Sequence, residues 1–406
     1  HYDSRAGDPH LHTHVVISNK VQTVLDNKWR SLDGRPLHAA VVALSELHEA
    51  VFADHLTRML GVGWEARDRG RDRNPAWAIT RVPGALVKEF STRARHIDVE
   101  TDRLIGQYVA ARGRPSAATI MKLRAQATLS TRPEKEVRSL ADLTASWRER
   151  AGRELGSEAT AWARTVTVNE EPLLLRADDL PLDVIASLGQ DVVTAVGEKR
   201  ATWNRWNLTA EAARQTMRYR FASTQDREAV LGLVVDAAEA ASLRLTPPEL
   251  ASSPAAFRRP DGTSVFRPKH SALFSSEALL AAEDRLLERA RTTTAPTVPL
   301  TTVESIAMRP DSKGRTLGDD QAAALTKIAV SGRVVDVLVG PAGAGKTTAM
   351  AALRRAWEQE HGRGSVVGLA PSAVAAQVLA DDLGIRTENT AKWLDTHDRT
   401  GETFRT

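Results

Sequence analysis

The chain has 406 residues, which is enough for two or three domains with ordinary hydrophobic cores. Charged residues make up 26% and hydrophobic residues 42%, the balance of a soluble globular protein, and the absence of cysteine excludes disulfides and thiolate metal sites. The formal net charge of +4 permits nucleic-acid binding without establishing it. Because the sequence has no run of about 18 apolar residues and no signal-peptide pattern, we expect a cytoplasmic protein.

The chain begins with a histidine-rich segment, HYDSRAGDPHLHTHVVISN. Residues 10–19 alternate in a way that predicts a β-strand, on which His10, His12 and His14 share one face. Three imidazoles can hold a divalent metal and leave positions open for a substrate, and a hard cation there would polarise a phosphodiester. His1 and His10 compete for the third place beside His12 and His14. The alternative is a surface strand whose histidines bind nothing.

Most of the chain from the histidines to residue 291 reads as helix. A short strand is expected over 76–82, and amphipathic patterns predict helices over three longer stretches, 37–60, 86–163 and 170–290. Gly61 ends the first of these stretches, and Pro115 and Pro133 interrupt the second.

Two features of the helical stretches are compatible with nucleic-acid binding. Trp203 and Trp206 could stack on unpaired bases, but a spacing of three on a predicted helix favours core packing. Basic side chains could contact phosphates, although most such charges only solvate a helix face. The basic residues are Arg93, Arg95, Lys122, Arg124, Arg132, Lys135 and Arg138.

Near the end of the chain, residues 340–347 read GPAGAGKT and match the phosphate-binding pattern GxxxxGK[ST]. The apolar segment VVDVLV before it predicts a strand, and a helix follows, which is the context that phosphate binding needs. Lys346 should reach the β- and γ-phosphates and the Thr347 hydroxyl should ligate Mg²⁺, so we expect ATP with Mg²⁺ as cofactor. The predicted nucleotide-binding residues are Gly340, Pro341, Ala342, Gly343, Ala344, Gly345, Lys346, Thr347 and Thr348.

The segments around this loop extend the prediction. Gln321, in LGDDQ, could contact an adenine edge through its amide, although a glutamine on a helix is more often solvent-exposed. Residues 292–316 are rich in Pro and Thr and read as a linker. After the loop, SVVGLA predicts a second strand and another helix begins near Ser372, an alternation that favours a parallel sheet flanked by helices.

On these residues the sequence resembles the MobF-type conjugative relaxases, the TrwC/TraI group, which join an HUH endonuclease to a superfamily 1 helicase. The resemblance implies His1, His12 and His14 as ligands of a divalent metal (Mg²⁺, Mn²⁺ or Zn²⁺), with His10 as a neighbour and Asp8 ordering the loop. The matching segments are SRAGDPHLHTHVVISN, DNKWRSLDGRPLH, RVPGALVKEFSTRARHI, FSSEALLAAEDRLLERAR, LGDDQAAALTKIAVSGRVVDVLVGPAGAGKTTAM and VVGLAPSAVAAQVLADDLGIRTENTAKWL.

The implied fold class is α+β and α/β, in several domains. An antiparallel HUH relaxase domain, a helical middle and a RecA-like P-loop domain would follow one another. The expected divisions are 1–95 for the C-terminal part of the relaxase domain, 96–165 for a helical region, 166–291 for the mostly helical N-terminal region of the helicase half, 292–316 for a linker and 317–406 for the first part of the helicase domain.

The resemblance also implies a function. A protein of this family nicks one DNA strand at an origin of transfer through a phosphotyrosine intermediate and unwinds the duplex with ATP during plasmid conjugation. Its partners would be single-stranded DNA, origin DNA and conjugation accessory and coupling proteins. The family's nucleophilic tyrosines precede the histidine at position 1 and its Walker B motif would follow Thr406. We therefore assign no catalytic residue, and expect this piece to be inactive alone.

Two alternative functions stay open at this point. The first is a degenerate DNA- and nucleotide-binding interaction protein without catalysis. The second is a plain superfamily 1 helicase of the RecD type with incidental histidines. Tyr2, Tyr108 and Tyr219 do not decide between them, because the last two lie in predicted helices and favour packing, and no upstream element positions the first.

Overall fold

The structure is a computed structural model of the chain. It describes residues 1–24, 26–68, 74–113, 115–134, 136–167, 172–247, 253–260, 262–267, 270–311, 314, 316–341 and 343–401. The chain divides into two compact units, His1–Ser276 and Glu277–Thr406. Within the described ranges, every helix is too short or too polar to cross a lipid bilayer.

The first unit is mainly helical. Its helices are α1 (Arg35–Leu60), α2 (Gly84–Glu89), α3 (Thr92–Arg112), α4 (Ala117–Ser130), α5 (Leu140–Leu155), α6 (Ala159–Val166), α7 (Leu182–Gly197), α8 (Arg205–Gln215) and α9 (Thr224–Ala240). Its strands form antiparallel pairs, β1 (Lys20–Gln22) with β2 (Trp29–Ser31), β3 (Trp64–Arg67) with β4 (Ala76–Ile79), and β5 (Leu243–Arg244) with β6 (Phe274–Ser275).

Helix α1 confirms the helix predicted from its amphipathic pattern. It ends at Gly61, which adopts φ 65° and donates its backbone N–H to Thr57 O. The buried face of α1 carries mostly small side chains, so that α8 packs closely against it. These small residues are Ala40, Ala43, Ala50 and Ala53.

Helices α7, α8 and α9 form the main hydrophobic core of the first unit, and their aliphatic residues interlock. The buried residues include Ile185, Leu188, Val192, Leu208, Val230, Leu231 and Val234. Gly189 lies where α7 and α9 approach each other, and a Cβ built there would stand 2.8 Å from the Ala237 Cβ. Any larger residue at this position would therefore force the two helices apart.

A buried ion pair joins α1 to α9. The guanidinium of Arg227 donates to both carboxylate oxygens of Asp54, at 2.8 and 2.7 Å, and the two side chains are 1% and 0% exposed. Arg227 also donates to the carbonyl oxygens of Thr216 and Tyr219, at 3.0 and 2.9 Å. The Phe221 backbone N–H donates to Asp54 at 3.3 Å. Charge and hydrogen-bonding capacity are thus satisfied without water.

The second unit combines helices with a parallel strand pair. Its helices are α10 (Glu277–Arg291), α11 (Leu300–Met308), α12 (Asp319–Val330), α13 (Lys346–His361), α14 (Ala373–Leu383) and α15 (Thr390–Thr400). Strand β7 (Val367–Ala370) pairs in parallel with β8 (Arg386–Asn389), which was not among the predicted strands, and α14 connects them. The core lies among α11, α12 and α13, where Val303, Ile306, Leu325, Ala352 and Ala356 pack together.

The segment predicted as a linker, 292–316, differs from that prediction. It contains α11, because Val303 and Ile306 lie three residues apart and turn together into the core of the second unit. The linker prediction rested on the high proline and threonine content of the segment, and it missed this short apolar stripe. The predicted boundaries at 95, 165 and 291 also differ from the division into compact units, which falls after Ser276.

Two predicted strands are absent from the described residues. The stretch 10–19 pairs with residues 1–3 at its start, and at its end Asn19 O accepts the Leu32 N–H at 2.7 Å. Between these contacts its apolar side chains are exposed. The segment 334–339 before the phosphate-binding loop has no strand neighbour, and Val337 and Val339 are also exposed. An alternating or apolar sequence therefore indicates that a segment can form a strand. It becomes a strand only where a neighbouring segment is available for hydrogen bonding.

The tryptophan pair also departs from its predicted context. Trp203 precedes α8, because Asn204 accepts the Asn207 N–H at 3.1 Å and caps the helix. The Trp203 indole is buried and donates to Ser242 Oγ at 3.0 Å, which confirms that it packs in the core. Trp206 meets His270 edge-on, with ring centroids 4.8 Å apart.

Candidate metal centre and phosphate-binding loop

The histidine cluster is assembled by a hairpin at the start of the chain. The backbones of His1 and His12 exchange two hydrogen bonds, each 3.1 Å long, and His10 N donates to Tyr2 O at 2.9 Å. A turn from Ser4 to Asp8 connects the two arms. Residues eleven positions apart in sequence thereby become neighbours, which is how His1 joins the HLHTH segment.

The rings of His1, His12 and His14 meet at nearly equal distances. Their centroids are 5.2 Å apart for His1 and His12, and 5.0 Å apart for each pairing with His14. His10 lies beside His12 alone, at 4.8 Å. His12 Nδ1 is 2.8 Å from His10 O, an arrangement in which a protonated Nδ1 leaves Nε2 free as an electron-pair donor. The geometry thus favours His1 over His10 as the third member.

The chemistry of this donor set suits a divalent cation, although the side chains are not arranged as a closed ligand shell. Within the part of the chain that the structure describes, no group of three or more His, Cys, Asp and Glu side chains has that arrangement. His1 and His12 stack nearly parallel, with 20° between their planes, and His14 stands edge-on to both. Rotations about the side-chain bonds would be needed to turn the three ring nitrogens to a common point.

The turn that carries the histidines is held by a buried carboxylate. Asp8 is 3% exposed and accepts hydrogen bonds from Thr92 N at 2.8 Å, Thr92 Oγ1 at 3.1 Å and Arg150 at 2.9 Å. Arg150 also pairs with Glu89 at 2.8 Å and covers the face of Phe90. Asp8 and Arg150 together anchor the turn to α3 and α5, as the resemblance implied for Asp8. Arg150 was not predicted, since nothing local in the sequence marks a partner so distant.

The histidines open into a cleft of about 610 Å³ whose lining carries charges of both signs. Arginines outnumber acids there, and one of them, Arg132, has no ion-pair partner among the described residues. Arg93 supports the wall by donating to the Thr131 carbonyl at 2.8 Å, and Arg138 pairs with Glu136. Two other predicted phosphate contacts serve local structure: Arg124 pairs with Asp98, and Arg95 donates to Glu89 O and Thr92 Oγ1. Lys122 is exposed. Lys135 lies outside the described residues.

The phosphate-binding loop stands at the start of α13. Lys346 opens the helix, and Thr347 and Thr348 follow in its first turn, where backbone N–H groups have no partners within the helix. The Lys346 ammonium donates to the carbonyl oxygens of Gly340 and Pro341, both at 2.7 Å. Phosphate oxygens could replace these carbonyls as acceptors. Gly343 and Gly345 adopt positive φ angles of 80° and 73°, while Ala342 lies outside the described residues.

Gln321 contacts this loop directly. Its side-chain Nε2 donates to Ala344 O at 3.0 Å, and its Oε1 accepts the Gly318 N–H at 3.2 Å. A Cβ built at Gly345 would stand only 2.3 Å from Gln321 Nε2. The left-handed backbone at Gly345 favours glycine, and a side chain there would also displace the Gln321 amide. Gln321 thus lies at the loop with its amide bound to backbone, and its contact with an adenine edge stays a prediction.

Two family models match the chain in the segments that carry these sites. Residues 1–153 match the TrwC relaxase, and residues 316–406 match an AAA domain. Together these matches support a MobF-type relaxase–helicase. The relaxase match favours a relaxase over a plain helicase with incidental histidines, and the two domains support a conjugative relaxase–helicase.

Individual relatives agree with these matches over limited lengths. A conjugal transfer protein TraA of Rhizobium radiobacter is 44% identical over 77 residues, which are 19% of this chain and 7% of that protein. A metal-free structure of the conjugative relaxase TrwC in complex with OriT DNA is 27% identical, covers 39% of this chain and 50% of its own, and has a TM-score of 0.30. TrwC complexed with a 27-mer DNA comprising the recognition hairpin and the cleavage site is 28% identical, with coverages of 39% and 51% and a TM-score of 0.30.

Proposed function

We propose that the first unit contributes to metal-dependent, strand-specific nicking of DNA at an origin of transfer, and that the second contributes to ATP-driven unwinding. The observation that carries the first half is the meeting of His1, His12 and His14 in an arginine-containing cleft, within the segment that matches the relaxase model. The chain spans 7% of the TraA protein and about half of each TrwC structure, so the activity of a whole relaxase–helicase is part of this proposal.

The three imidazoles are the residues that would hold the cation, which is Mg²⁺, Mn²⁺ or Zn²⁺ in our proposal. When bound, such an ion would polarise a phosphodiester oxygen and stabilise the negative charge that develops on it. The His10 carbonyl orients the His12 ring, and the anchored Asp8 turn keeps His1 next to His12. Arg132 would contribute positive charge toward the DNA backbone.

The attacking group in our proposal is a tyrosine hydroxyl that forms a phosphotyrosine link with the cut strand. Of the residues that the structure describes, no tyrosine lines the histidine cleft. Tyr108 lies on α3 beside Arg112, and Tyr219 lies beside Arg218. The role proposed for the cleft itself is therefore to bind and polarise the scissile phosphate.

In the second unit, the proposed ligand is ATP with Mg²⁺. The loop N–H groups and Lys346 would bind the phosphates, and the exposed Thr347 hydroxyl would ligate the magnesium. Gln321 would read the adenine edge after its Nε2 leaves the Ala344 carbonyl. Single-stranded DNA and origin DNA are the proposed substrates, and conjugation accessory and coupling proteins are the proposed partners.

Titration of the chain with Mn²⁺ by isothermal calorimetry tests the metal site. We expect one site per chain, lost in the double variant His12→Ala/His14→Ala. His10→Ala is the matched control, because it removes a neighbouring imidazole outside the group of three. If His10→Ala loses Mn²⁺ binding as the double variant does, His10 and not His1 is the third ligand. Unchanged Mn²⁺ binding in the double variant would refute the proposed metal site. Removal of the Lys346 ammonium (Lys346→Ala) should abolish binding of a fluorescent ATP analogue without changing Mn²⁺ binding.

A further inference from the structure

A second cleft of about 430 Å³ lies in the first unit, where the end of α1 meets the β3–β4 hairpin and residues 218–220. It shares no lining residue with the histidine cleft. Its volume falls within the range of roughly 300–1,000 Å³ that small ligands occupy in proteins. The motifs found in the sequence do not account for it.

Two indoles form one wall of this cleft. In the β3–β4 register Trp64 opposes Ile79 and Trp77 opposes Ala66, so that both tryptophans project from the same face of the hairpin in a diagonal arrangement. The Trp64 Nε1–H donates to Thr57 Oγ1 at 2.9 Å, which fixes this ring. Both indoles pack against buried residues on one side and remain partly exposed toward the cleft.

Arg220 lies against both indoles. Its Cζ atom is 5.3 Å from the Trp64 ring centroid and 5.8 Å from that of Trp77. The guanidinium donates to the carbonyl oxygens of Met217 and Tyr219, and it forms no ion pair with a carboxylate of the described residues. Burial lowers the pKa of Arg220 to about 10, which leaves the group charged at neutral pH.

Two more arginines stand at the rim. Arg218 and Arg81 are exposed, and neither pairs with a carboxylate of the described residues. Arg81 has φ 66° and donates to Thr165 O at 3.0 Å, which holds it beside the opening. No described residue that lines the cleft is acidic. This contrasts with Arg227, whose charge Asp54 neutralises.

Flat aromatic faces beside guanidinium groups that pair with no carboxylate of the described residues suit an aromatic base linked to a phosphate. We propose that this cleft binds a nucleotide, with its base against Trp64 and Trp77 and its phosphate between Arg81 and Arg218. The site is separate from the histidine cleft and from the phosphate-binding loop, so it would provide an additional contact. The nucleotide is either free or one unit of a single strand.

Photocrosslinking of the full chain tests this proposal and separates the two sources. One arm uses a single-stranded oligothymidylate 12-mer carrying one 5-iodouracil, and the other uses free 5-iodo-deoxyuridine monophosphate, each followed by peptide mass spectrometry. We expect crosslinks on the peptides that contain Trp64 or Trp77. Crosslinks from the oligonucleotide assign a strand site, and crosslinks from the mononucleotide alone assign a free-nucleotide site. Absence of these crosslinks in both arms overturns the proposal.

Affinity measurements on variants provide the second test. The double variant Arg81→Ala/Arg218→Ala removes exposed side chains, so its stability to unfolding should equal that of the unmodified chain. It should bind the ligand that crosslinks about 5- to 150-fold more weakly, the range for loss of one well-made base or phosphate contact. Arg103→Ala is the matched control, since this exposed arginine lies on α3 and pairs with Glu100. Wild-type affinity in the double variant overturns the proposal.

The metal-site variant His12→Ala/His14→Ala distinguishes this proposal from the proposed function. It should keep the Trp64 and Trp77 crosslinks while losing Mn²⁺ binding. If the unmodified chain binds Mn²⁺ but gives no crosslinks at Trp64 or Trp77, the proposal for the second cleft alone is refuted. If the unmodified chain gives the crosslinks but binds no Mn²⁺, the proposed metal centre alone is refuted.

Discussion

The buried pair of Asp54 and Arg227 gives the sharpest prediction about stability. Replacing one member leaves an unpaired charge away from water, and such a loss costs about 3–5 kcal/mol. Asp54→Asn retains an acceptor for the Phe221 N–H, so we expect about 3 kcal/mol, whereas Asp54→Ala loses that bond as well and should approach about 5 kcal/mol. Arg227→Met should cost a similar amount, because the Asp54 carboxylate would remain buried.

The double variant Asp54→Leu/Arg227→Met should be less destabilised than Asp54→Ala or Arg227→Met, each of which leaves one charge buried without its partner. The Thr216 carbonyl keeps its bond from Tyr219 N, and the Tyr219 carbonyl keeps its bond from Arg220. Only the Phe221 N–H loses its partner, at a cost of about 1–3 kcal/mol. The coupling between the two sites should therefore be strongly favourable.

Hydrogen exchange followed by mass spectrometry is the suitable assay, because it resolves the two units. Peptides of α1, α8 and α9 should lose protection by the predicted amounts, while peptides of α12 and α13 provide an internal reference. Asp102→Asn, an exposed carboxylate on α3, is the control and should change protection by less than about 0.5 kcal/mol. A loss below about 1 kcal/mol in Asp54→Ala would refute the reasoning.

Three further predictions concern the two sites and α9. Arg150→Ala should weaken Mn²⁺ binding about 10- to 100-fold in calorimetry, as loss of outer-shell support does. Arg153→Ala, on the exposed face of α5, is the control and should not change it. Equal affinities of the two variants would show that the Asp8 anchor does not support the histidines. Gln321→Ala should weaken ATP binding more than GTP binding. An equal loss of affinity for both nucleotides would show that Gln321 supports the loop but does not contact the base. The Ser223 hydroxyl, with the Ala177 N–H, holds the pKa of Asp226 below its usual 3.8. The stabilising effect of the Asp226 carboxylate is present above its unfolded-state pKa and disappears as the pH falls through the lowered folded-state pKa. Urea midpoints of wild type and Asp226→Asn should therefore differ at pH 7 and converge once the pH is below that lowered pKa.

Sequence reasoning succeeded where the signal was local. Gly61 ended α1 and the breaks at Pro115 and Pro133 separated helices, because each of these residues acts on its own backbone. The phosphate-binding loop was also recognisable, since its function depends on consecutive N–H groups. Asn204 before α8 was a missed local signal, as its cap marks the helix start after Trp203.

The remaining features depend on contacts between distant residues. Whether 10–19 and 334–339 become strands is decided by the neighbours available to them, which composition does not reveal. Arg150 reaches Asp8 across 142 positions, and Arg227 reaches Asp54 across 173. Neither pairing leaves a periodic trace in the sequence. The cluster of Trp64, Trp77 and Arg220 is likewise created by the packing of β3 and β4 near the end of α8.

The contact between α1 and α9 has a practical consequence for dissecting this chain. The relaxase match ends at residue 153, whereas the partner that neutralises Asp54 lies at position 227. An expression boundary drawn at 153 would leave a bare carboxylate and an uncovered alanine face on α1. The segment 154–276, which neither family model matches, thus supplies the ion-pair partner of Asp54 and part of the packing of the segment before it. Truncations intended for biophysical work should extend through Ser276, where the compact unit closes.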